Sequence, residues 1–175
     1  SDCRIYSNAG ENHFMTKRFD RIHGKKVHMQ SLGAMAHISY KEPRLCSYEM
    51  AAGYMREIYL PMKDIEQFYS RMVFNCVAVN QDDHVKNISF LMNRSGEWRL
   101  SPAYDVTYSY DVTNKWLSAH QMTINGKKSN INLTDLLTAG ENMGLKKKKC
   151  KESRFYWKTS RERGQSENFF HNIVS

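Results

Sequence analysis

The sequence has no apolar run of about 18 residues, the length at which a stretch becomes a candidate membrane-spanning helix. It also begins without the basic and then apolar pattern of a secretory signal peptide. The four cysteines stand far apart and none forms a C-x-x-C pair, which argues against a zinc ribbon and against a redox pair. These absences favour a protein of the reducing cytoplasm with no membrane partner.

Positive charge is concentrated at the C-terminal end. The formal net charge is +8, yet residues 1–145 hold 17 Lys and Arg against 15 Asp and Glu. Residues 146–175 hold 9 Lys and Arg against 3 Asp and Glu. A basic tail can bind phosphate backbones without sequence preference, but such runs are usually solvated. Because no helix-turn-helix or zinc-finger pattern accompanies this run, we expect no direct binding of nucleic acid.

The spacing of apolar residues predicts a mixed α+β domain, which 175 residues are enough to build. Weak alternation over residues 3–20 indicates a hairpin. Ser47 is placed to cap a helix, because apolar residues at helical spacing follow it. The strongest helix prediction covers residues 64–79, where apolar residues recur every three or four positions and Asp64 with Gln67 resembles a capping box.

A second hairpin is predicted after this helix. Ile88–Met92 has the composition of a strand, Asn93–Gly96 that of a turn, and Glu97–Ser101 that of the returning strand. Antiparallel pairing places the residue before the first strand beside the residues after the second. We therefore expect Asn87 and Asp105 to lie close together, although they are far apart in the chain.

Three oxygen-bearing side chains around this hairpin fit the needs of phosphoryl transfer from ATP. That reaction needs a carboxylate to accept the proton of the attacking hydroxyl, and oxygen ligands for the Mg²⁺ that neutralises the phosphates. Asp82, Asn87 and Asp105 follow the order of the catalytic base and the two metal ligands of protein kinases. Because D-x-x-x-x-N alone is common in loops, the hypothesis depends on the whole ordered set. Asp83 is expected to face solvent, and a zinc site at residues 82–84 is disfavoured because three adjacent residues rarely close one tetrahedral site.

Three segments resemble the HipA-type toxin kinases, which are the serine/threonine kinases of bacterial toxin–antitoxin modules. The segments are Arg18–Arg21, Asp82–Asn87 and Ser101–Val106, and the resemblance extends over roughly residues 3–145. It implies a protein-kinase-like fold with a mostly helical C-terminal lobe, and the use of ATP and Mg²⁺. It also implies a protein substrate, and a DNA-binding antitoxin protein as partner.

The same resemblance assigns roles to individual residues. Asp82 would be the catalytic base, and Asn87 and Asp105 would be the magnesium ligands. Further residues would lie beside the nucleotide, the first three of them on a hinge strand against the adenine and ribose. These nucleotide-binding residues are Arg18, Phe19, Asp20, His84, Lys86 and Tyr104.

The chain departs from this family at its start. A complete kinase has an N-terminal lobe with a Gly-rich loop over the phosphates and a strand lysine that contacts them, whereas the nine glycines here form no such cluster. We expect a hinge hairpin at residues 1–22, a catalytic lobe at 23–145 and a basic tail at 146–175, with the N-terminal lobe largely missing. Such a chain is either the fragment of a kinase that needs its other lobe, or an inactive truncated kinase that binds a protein.

The tail is the second departure. After Lys146–Lys149 it shows no sustained helical repeat. A shifted reading frame, which adenine-rich lysine codons favour, and a divergent segment both fit this pattern. A shifted frame predicts that the aromatic side chains of the tail share no core with the helix at 64–79. These side chains are Phe155, Trp157, Phe169 and Phe170.

Overall fold

The computed structural model describes residues 2–151, 154, 157 and 158. The strands are β1 (Cys3–Asn8), β2 (Glu11–Thr16), β3 (Arg21–Ile22), β4 (Lys25–Lys26), β5 (His28–Ser31), β6 (Ser89–Met92) and β7 (Trp98–Leu100). The helices are α1 (Leu32–Met35), α2 (Tyr48–Glu57), α3 (Met62–Val77) and α4 (Leu133–Asn142). The fold is thus α+β, as expected, and none of the described helices is long and apolar enough to cross a membrane.

The first hairpin forms as predicted, but the hinge strand does not. Strands β1 and β2 pair antiparallel around a turn at Ala9 and Gly10, which both have positive φ. Strand β2 ends at Thr16, so the expectation that Arg18–Asp20 would continue it as a hinge strand is wrong. The segment instead turns at Phe19 and Asp20, because the Asp20 carboxylate binds Arg18 within the segment and Arg21 immediately after it.

Helix α2 begins where the sequence predicts. The Ser47 hydroxyl accepts a hydrogen bond from the amide of Met50 at 3.0 Å, which satisfies one of the free N–H groups of the first turn. The C-terminal helix α4 is capped in the same way by Asn132, which forms a reciprocal capping box with Asp135. Both caps use residues close in sequence; the sequence predicts the cap at Ser47, whereas it leaves Asn132 and Thr134 open as the cap of α4.

Helix α3 covers nearly the predicted residues, but its predicted capping box is wrong. Pro61 is the N-cap and makes no side-chain cap. The Asp64 carboxylate instead accepts two hydrogen bonds from Arg99, at 2.8 and 2.7 Å, and one from the amide of Leu100 at 2.9 Å. A bidentate, charge-assisted pair is stronger than a neutral cap. Asp64 therefore attaches β7 to α3 rather than closing the helix.

The central sheet has the order β5-β6-β7, with both pairs antiparallel. The β6–β7 hairpin is the predicted one. Strand β5 adds to its edge, although the sequence of residues 29–38 fits a short helix or a buried loop equally well. The core lies between this sheet and helices α2, α3 and α4. Its largest fully buried side chains are Leu32, Tyr48, Met55, Ile65, Phe68, Tyr69, Met72, Phe90, Met122, Ile124, Leu136 and Met143.

The start of the tail packs against the core. Gly144 adopts a positive φ after α4 and the amide of Leu145 bonds to the carbonyl of Gly140, so the chain reverses. Residues 147–151 are helical and bury Cys150 at 2% exposure. Trp157 also packs against the core, which disagrees with what a shifted reading frame predicts for this side chain. Phe155, Phe169 and Phe170 lie outside the described residues.

The contact between α4 and the tail predicts opposite effects of alanine at two helical glycines. At Gly140, a Cβ would stand 2.6 Å from Cys150 Sγ and 2.9 Å from Tyr69 Cε2, so Gly140→Ala should lower the free energy of unfolding by about 1–3 kcal/mol. At Gly53, a Cβ meets no atom within 4 Å, and Gly53→Ala should raise it by about 0.5–1 kcal/mol. Urea unfolding measures both. Equal effects of the two substitutions would mean that the Cys150 contact does not form.

Candidate functional site

The loop after α3 is attached to the core by Asp83. Its Oδ2 accepts hydrogen bonds from the Tyr48 hydroxyl and from Nδ1 of His120, both at 2.8 Å, and its Oδ1 accepts one from the amide of Gln121 at 2.7 Å. The side chain is only 1% exposed, so the expectation that Asp83 faces solvent is wrong. Its partners lie 35 or more positions away, and no spacing rule could have found them.

The Asp83–His120 pair is a buried ion pair. Burial lowers the pKa of His120, but the negative charge of Asp83 and its hydrogen bond outweigh burial and raise that pKa to about 11. His120 therefore carries its proton at neutral pH and donates to the carboxylate. Two opposite charges in contact inside the protein compensate each other's loss of hydration, which neither could bear alone.

The network continues from Tyr48 into α3. Asn75 Nδ2 donates to the Tyr48 hydroxyl at 2.9 Å, and Asn80 Nδ2 donates to Asn75 Oδ1 at 3.0 Å. Helices α2 and α3, the loop and residues 120–121 are thus joined by consecutive hydrogen bonds. A loop supported on both sides by buried side chains holds its functional groups in one geometry.

The other end of the loop is closed by Asn87 and by helix α1. Asn87 Nδ2 donates to the carbonyl of Asp82 at 3.0 Å. The amide of Gly33 donates to the carbonyl of Val85 at 3.1 Å. A Cβ on Gly33 would stand 2.9 Å from Cγ2 of Val85 and 3.0 Å from the carbonyl oxygen of Ile38, so only glycine allows α1 to approach the loop this closely.

Asp82 has the opposite orientation to Asp83. Its side chain is 40% exposed and lies 3.8 Å from His84, measured from Oδ1 to Nε2. Both residues line a cavity of about 600 Å³, here called the larger cavity. Its other lining residues come from two segments that the sequence analysis did not connect with the site. They are Tyr40, Lys41, Asn114, Lys115, Trp116, Leu117 and Gln121.

Asn87 and Asp105 line a second space, a small cleft of about 30 Å³. Tyr104, Asn80 and Arg71 line it too. The hairpin thus brings the two expected metal ligands to one cleft, and Asp105 is an exposed residue with a φ of 54°. The base expected at Asp82 faces the larger cavity instead.

Of the expected nucleotide-binding residues, Tyr104 lines the small cleft and His84 lines the larger cavity. The Phe19 ring lies 5.8 Å from the Tyr104 ring, and the Tyr104 hydroxyl donates to the carbonyl of Lys86 at 2.5 Å. His84 and Lys86 contact Tyr40 instead. The centroid of the His84 ring lies 5.6 Å from that of the Tyr40 ring, and Nζ of Lys86 lies 4.2 Å from the Tyr40 centroid. Phe19 thus reaches the small cleft only through its contact with Tyr104, and Lys86 reaches the larger cavity only through its contact with Tyr40.

The Arg18–Asp20 segment is held by its own charges. Arg18 binds Asp20 through two hydrogen bonds of 2.8 and 2.6 Å, and this contact lowers the pKa of Asp20 to about 2. Arg21 adds a third bond at 2.5 Å. The Asp20 carboxylate is thus engaged within the chain, whereas the Arg18 side chain remains 66% exposed.

The small cleft contains oxygen atoms that could bind a cation. No group of three or more His, Cys, Asp or Glu side chains suited to a metal occurs among the described residues. The cleft is lined by Asp105 and Asn80, and Oδ1 of Asn80 is buried with no hydrogen-bond partner among the described residues. Asn87 uses only its Nδ2 in the bond to Asp82. Magnesium commonly takes one or two carboxylates and completes its shell with phosphate and water oxygens, and these side chains suit that role.

Comparisons with known proteins agree with this architecture. A sequence model of the HipA-like C-terminal domain matches residues 1–156, whereas a search of curated proteins finds no significant match. Among solved structures, the chain is similar to HipA of Shewanella oneidensis MR-1, from a complex of the HipA and HipB toxin–antitoxin system with operator DNA. The TM-score is 0.69 at 17% identity, over 98% of this chain and 48% of that one, so the likeness shows the fold of about half of that HipA. Because the family model matches most of its length, the chain belongs to the HipA-like C-terminal domain family.

Proposed function

We propose that this chain is the catalytic-lobe part of an ATP- and Mg²⁺-dependent protein serine/threonine kinase of the HipA toxin type, with a protein-kinase-like fold. One observation supports this most directly. The Asp82–Asn87 loop contributes Asp82 to the lining of the larger cavity and Asn87, together with Asp105 from beyond the hairpin, to the lining of the small cleft. In-line transfer places the acceptor and the leaving group on opposite sides of the transferred phosphorus, and a base and a metal ligand carried at different positions of one loop suit that geometry.

Each loop residue then has a distinct role. Mg²⁺ and ATP, when bound, supply the phosphoryl group and neutralise its charge. Asp82 accepts the proton of the acceptor hydroxyl as the acceptor oxygen bonds to the γ-phosphorus and ADP leaves. Asn87 and Asp105 would hold the metal. Asp83 contacts no reactant, and it keeps Asp82 aimed at the larger cavity.

The positive charge of Arg71 leads to a prediction about how metal binding depends on ATP. Its guanidinium lines the same cleft as Asp105 and donates to the carbonyl of Ser101, and burial lowers its pKa to about 10, so it remains charged. This charge opposes a bare cation, and phosphates would offset it. We therefore expect Mn²⁺, in place of Mg²⁺, to bind this chain measurably only together with ATP. Binding should be weak because a Gly-rich loop does not contribute.

Electron paramagnetic resonance of free Mn²⁺ tests this at the low affinities expected. Asp105→Asn should weaken Mn²⁺·ATP binding at least tenfold, about 1.4 kcal/mol, because it removes a charged ligand. Asp111→Asn is the matched control, since this exposed carboxylate binds Thr113 and lies outside the cleft. Tight Mn²⁺ binding without ATP, or equal affinities of the two variants, would contradict the assignment.

Two further expectations belong to the same proposal. The family likeness to a HipA solved with HipB and DNA supports an antitoxin protein as partner. The cytoplasm is the compartment we expect, because the four cysteines stand far apart and form no C-x-x-C pair. The alternative function is an inactive truncated kinase that binds a protein. It is favoured by the β1–β2 hairpin, where the paired residues Ile5 and Phe14 are 64% and 69% exposed. Loss of phosphoryl transfer on changing Asp82 separates the two, because only the kinase has an activity to lose.

A further inference from the structure

A further cavity, here called the β7 cavity, is lined by the end of α2 and the turn that follows it, and by residues of the β6–β7 hairpin. Its volume is about 610 Å³, within the range of small-ligand sites. It shares no lining residue with the larger cavity or with the small cleft, so the proposed phosphoryl transfer leaves it unused. Its aromatic and charged lining residues are Glu57, Tyr59, Glu97, Trp98 and Arg99.

Tyr59 is an unusual residue for its place in the chain. The amide of Leu60 donates to the carbonyl of Met55, and the amide of Tyr59 donates to that of Arg56, which is the Schellman arrangement at a helix end. Tyr59 thus has the position that favours glycine, with a φ of 58°. Its side chain is 92% exposed, so packing does not offset this conformation. Neither the turn nor the core accounts for a tyrosine here, whereas a ligand in the β7 cavity would.

Trp98 provides a second aromatic side chain, and the sheet fixes its position. Its ring makes an edge contact with the ring of His28, with 5.4 Å between the two centroids, and it packs partly buried against the core. The faces of tyrosine and tryptophan rings are electron-rich and attract organic cations. A cavity lined by Tyr59 and Trp98 therefore has the side chains that such a cation binds.

The charge of the β7 cavity is negative. Neither Glu57 nor Glu97 forms an ion pair among the residues that the structure describes, and Glu97 accepts one hydrogen bond, from Nδ2 of Asn93 at 2.7 Å. Arg99 is the one cationic lining residue, and it donates to both carboxylate oxygens of Asp64, at 2.8 and 2.7 Å. Its charge is thus compensated by Asp64. The two glutamates remain to attract a cation, although the formal net charge of the chain is +8.

From this combination we propose that the β7 cavity is a binding site for an organic cation. Its ammonium or guanidinium group lies against the rings of Tyr59 and Trp98, and Glu57 and Glu97 supply the opposite charge. A metal ion does not suit these residues, because aromatic rings are not its ligands, and no group of three suitable side chains occurs in the described part of the chain. Such a cation belongs to a Lys or Arg side chain of a protein segment, or to a small free amine.

Fluorescence anisotropy of labelled short peptides tests the proposal on the full 175-residue chain. Three peptides differ only in their central residue, which is Lys, Arg or norleucine, an uncharged side chain of similar length. At low ionic strength, where screening is weak, the Lys or the Arg peptide should bind about tenfold more tightly than the norleucine peptide. Equal binding of the three peptides, or binding of none, would overturn the proposal.

Competition by unlabelled n-butylammonium decides between the two sources of the cation. This ion has the end of a lysine side chain and no peptide backbone. Displacement as effective as that by the unlabelled Lys peptide supports the proposal with a small free amine as ligand. Displacement about tenfold weaker supports it with a protein segment, whose backbone adds contacts. Equal displacement by n-butanol, which has no charge, would overturn the proposal.

Tyr59→Gly separates a role in binding from a role in folding. Glycine adopts the backbone conformation of residue 59 without strain, so the midpoint of urea unfolding should stay the same or rise. The same variant should bind the Lys peptide about fivefold more weakly, because one aromatic wall is lost. Tyr108→Ala removes another exposed tyrosine outside the cavity and should leave binding unchanged. Wild-type binding by Tyr59→Gly, or a fall in its unfolding midpoint, would overturn the proposal.

Removal of the two carboxylates locates the charge effect. Glu57→Gln with Glu97→Gln should abolish the preference for the Lys peptide over the norleucine peptide. Glu11→Gln with Glu42→Gln changes the net charge equally at exposed positions outside the cavity, and should leave the preference intact. Loss of the preference in both pairs would show a general charge effect, and its retention in the first pair would place the cation elsewhere. Either result overturns the proposal.

Discussion

Asp83→Ala should lower the free energy of unfolding by about 3–5 kcal/mol, the usual cost of removing one partner from a buried ion pair. The substitution leaves His120 charged and buried without its carboxylate, and removes the acceptor of Tyr48 and of the Gln121 amide. These groups join α2, the loop and the segment at 120–121. A loss of this size is a large part of the stability of an ordinary domain, so the variant should be mostly unfolded near physiological temperature.

Asp82→Ala is the matched control, because it removes the neighbouring carboxylate from a half-exposed site. It should change the free energy of unfolding by less than about 0.5 kcal/mol. Urea unfolding followed by circular dichroism measures both variants, and Asp83→Asn shows how much of the loss is due to charge alone. Similar stability of the Asp82 and Asp83 variants would mean that the buried network is not formed in solution.

Asp82→Asn should lower the rate of phosphoryl transfer by 10² to 10⁴, the usual contribution of a general base. The measurement is incorporation of labelled phosphate into protein from γ-labelled ATP, with an N-terminal lobe of the family supplied so that the phosphates are bound. The amide keeps the shape of the side chain but cannot accept the proton. Stability and Mn²⁺·ATP affinity should remain those of the wild type, because Asp82 lies outside the small cleft.

Asp105→Asn provides the contrast for this experiment. It should weaken nucleotide binding, and it should lower the rate of phosphoryl transfer mainly through that loss of affinity. Equal loss of nucleotide affinity in the Asp82 and Asp105 variants would mean that the roles of base and metal ligand have been confused. Unchanged transfer in Asp82→Asn would reject Asp82 as the base and favour the interpretation of the chain as a protein-binding module.

Features that depend on neighbours in sequence could be predicted from the sequence alone. The first hairpin, the cap at Ser47, the apolar stripe of α3 and the β6–β7 hairpin are all encoded by residue spacing within one element. The order of Asp82, Asn87 and Asp105 around that hairpin is also local, since a hairpin necessarily brings its two ends together. This is why Asn87 and Asp105 were expected in one place, and they line the same cleft.

Features that depend on distant partners were decided only by the tertiary structure. Asp82 and Asp83 are identical in type and adjacent, yet one faces a cavity and the other is fully buried, because Tyr48, His120 and Gln121 surround only the second. Likewise, Arg99 takes Asp64 away from its helix cap.

The pairing of strand β5 with β6 and the packing of Cys150 against Gly140 and Tyr69 also depend on residues distant in the chain. Propensity and spacing describe a chain interacting with its near neighbours. The orientation of a charged side chain depends on which groups compensate its burial, and here those groups come from elsewhere in the chain.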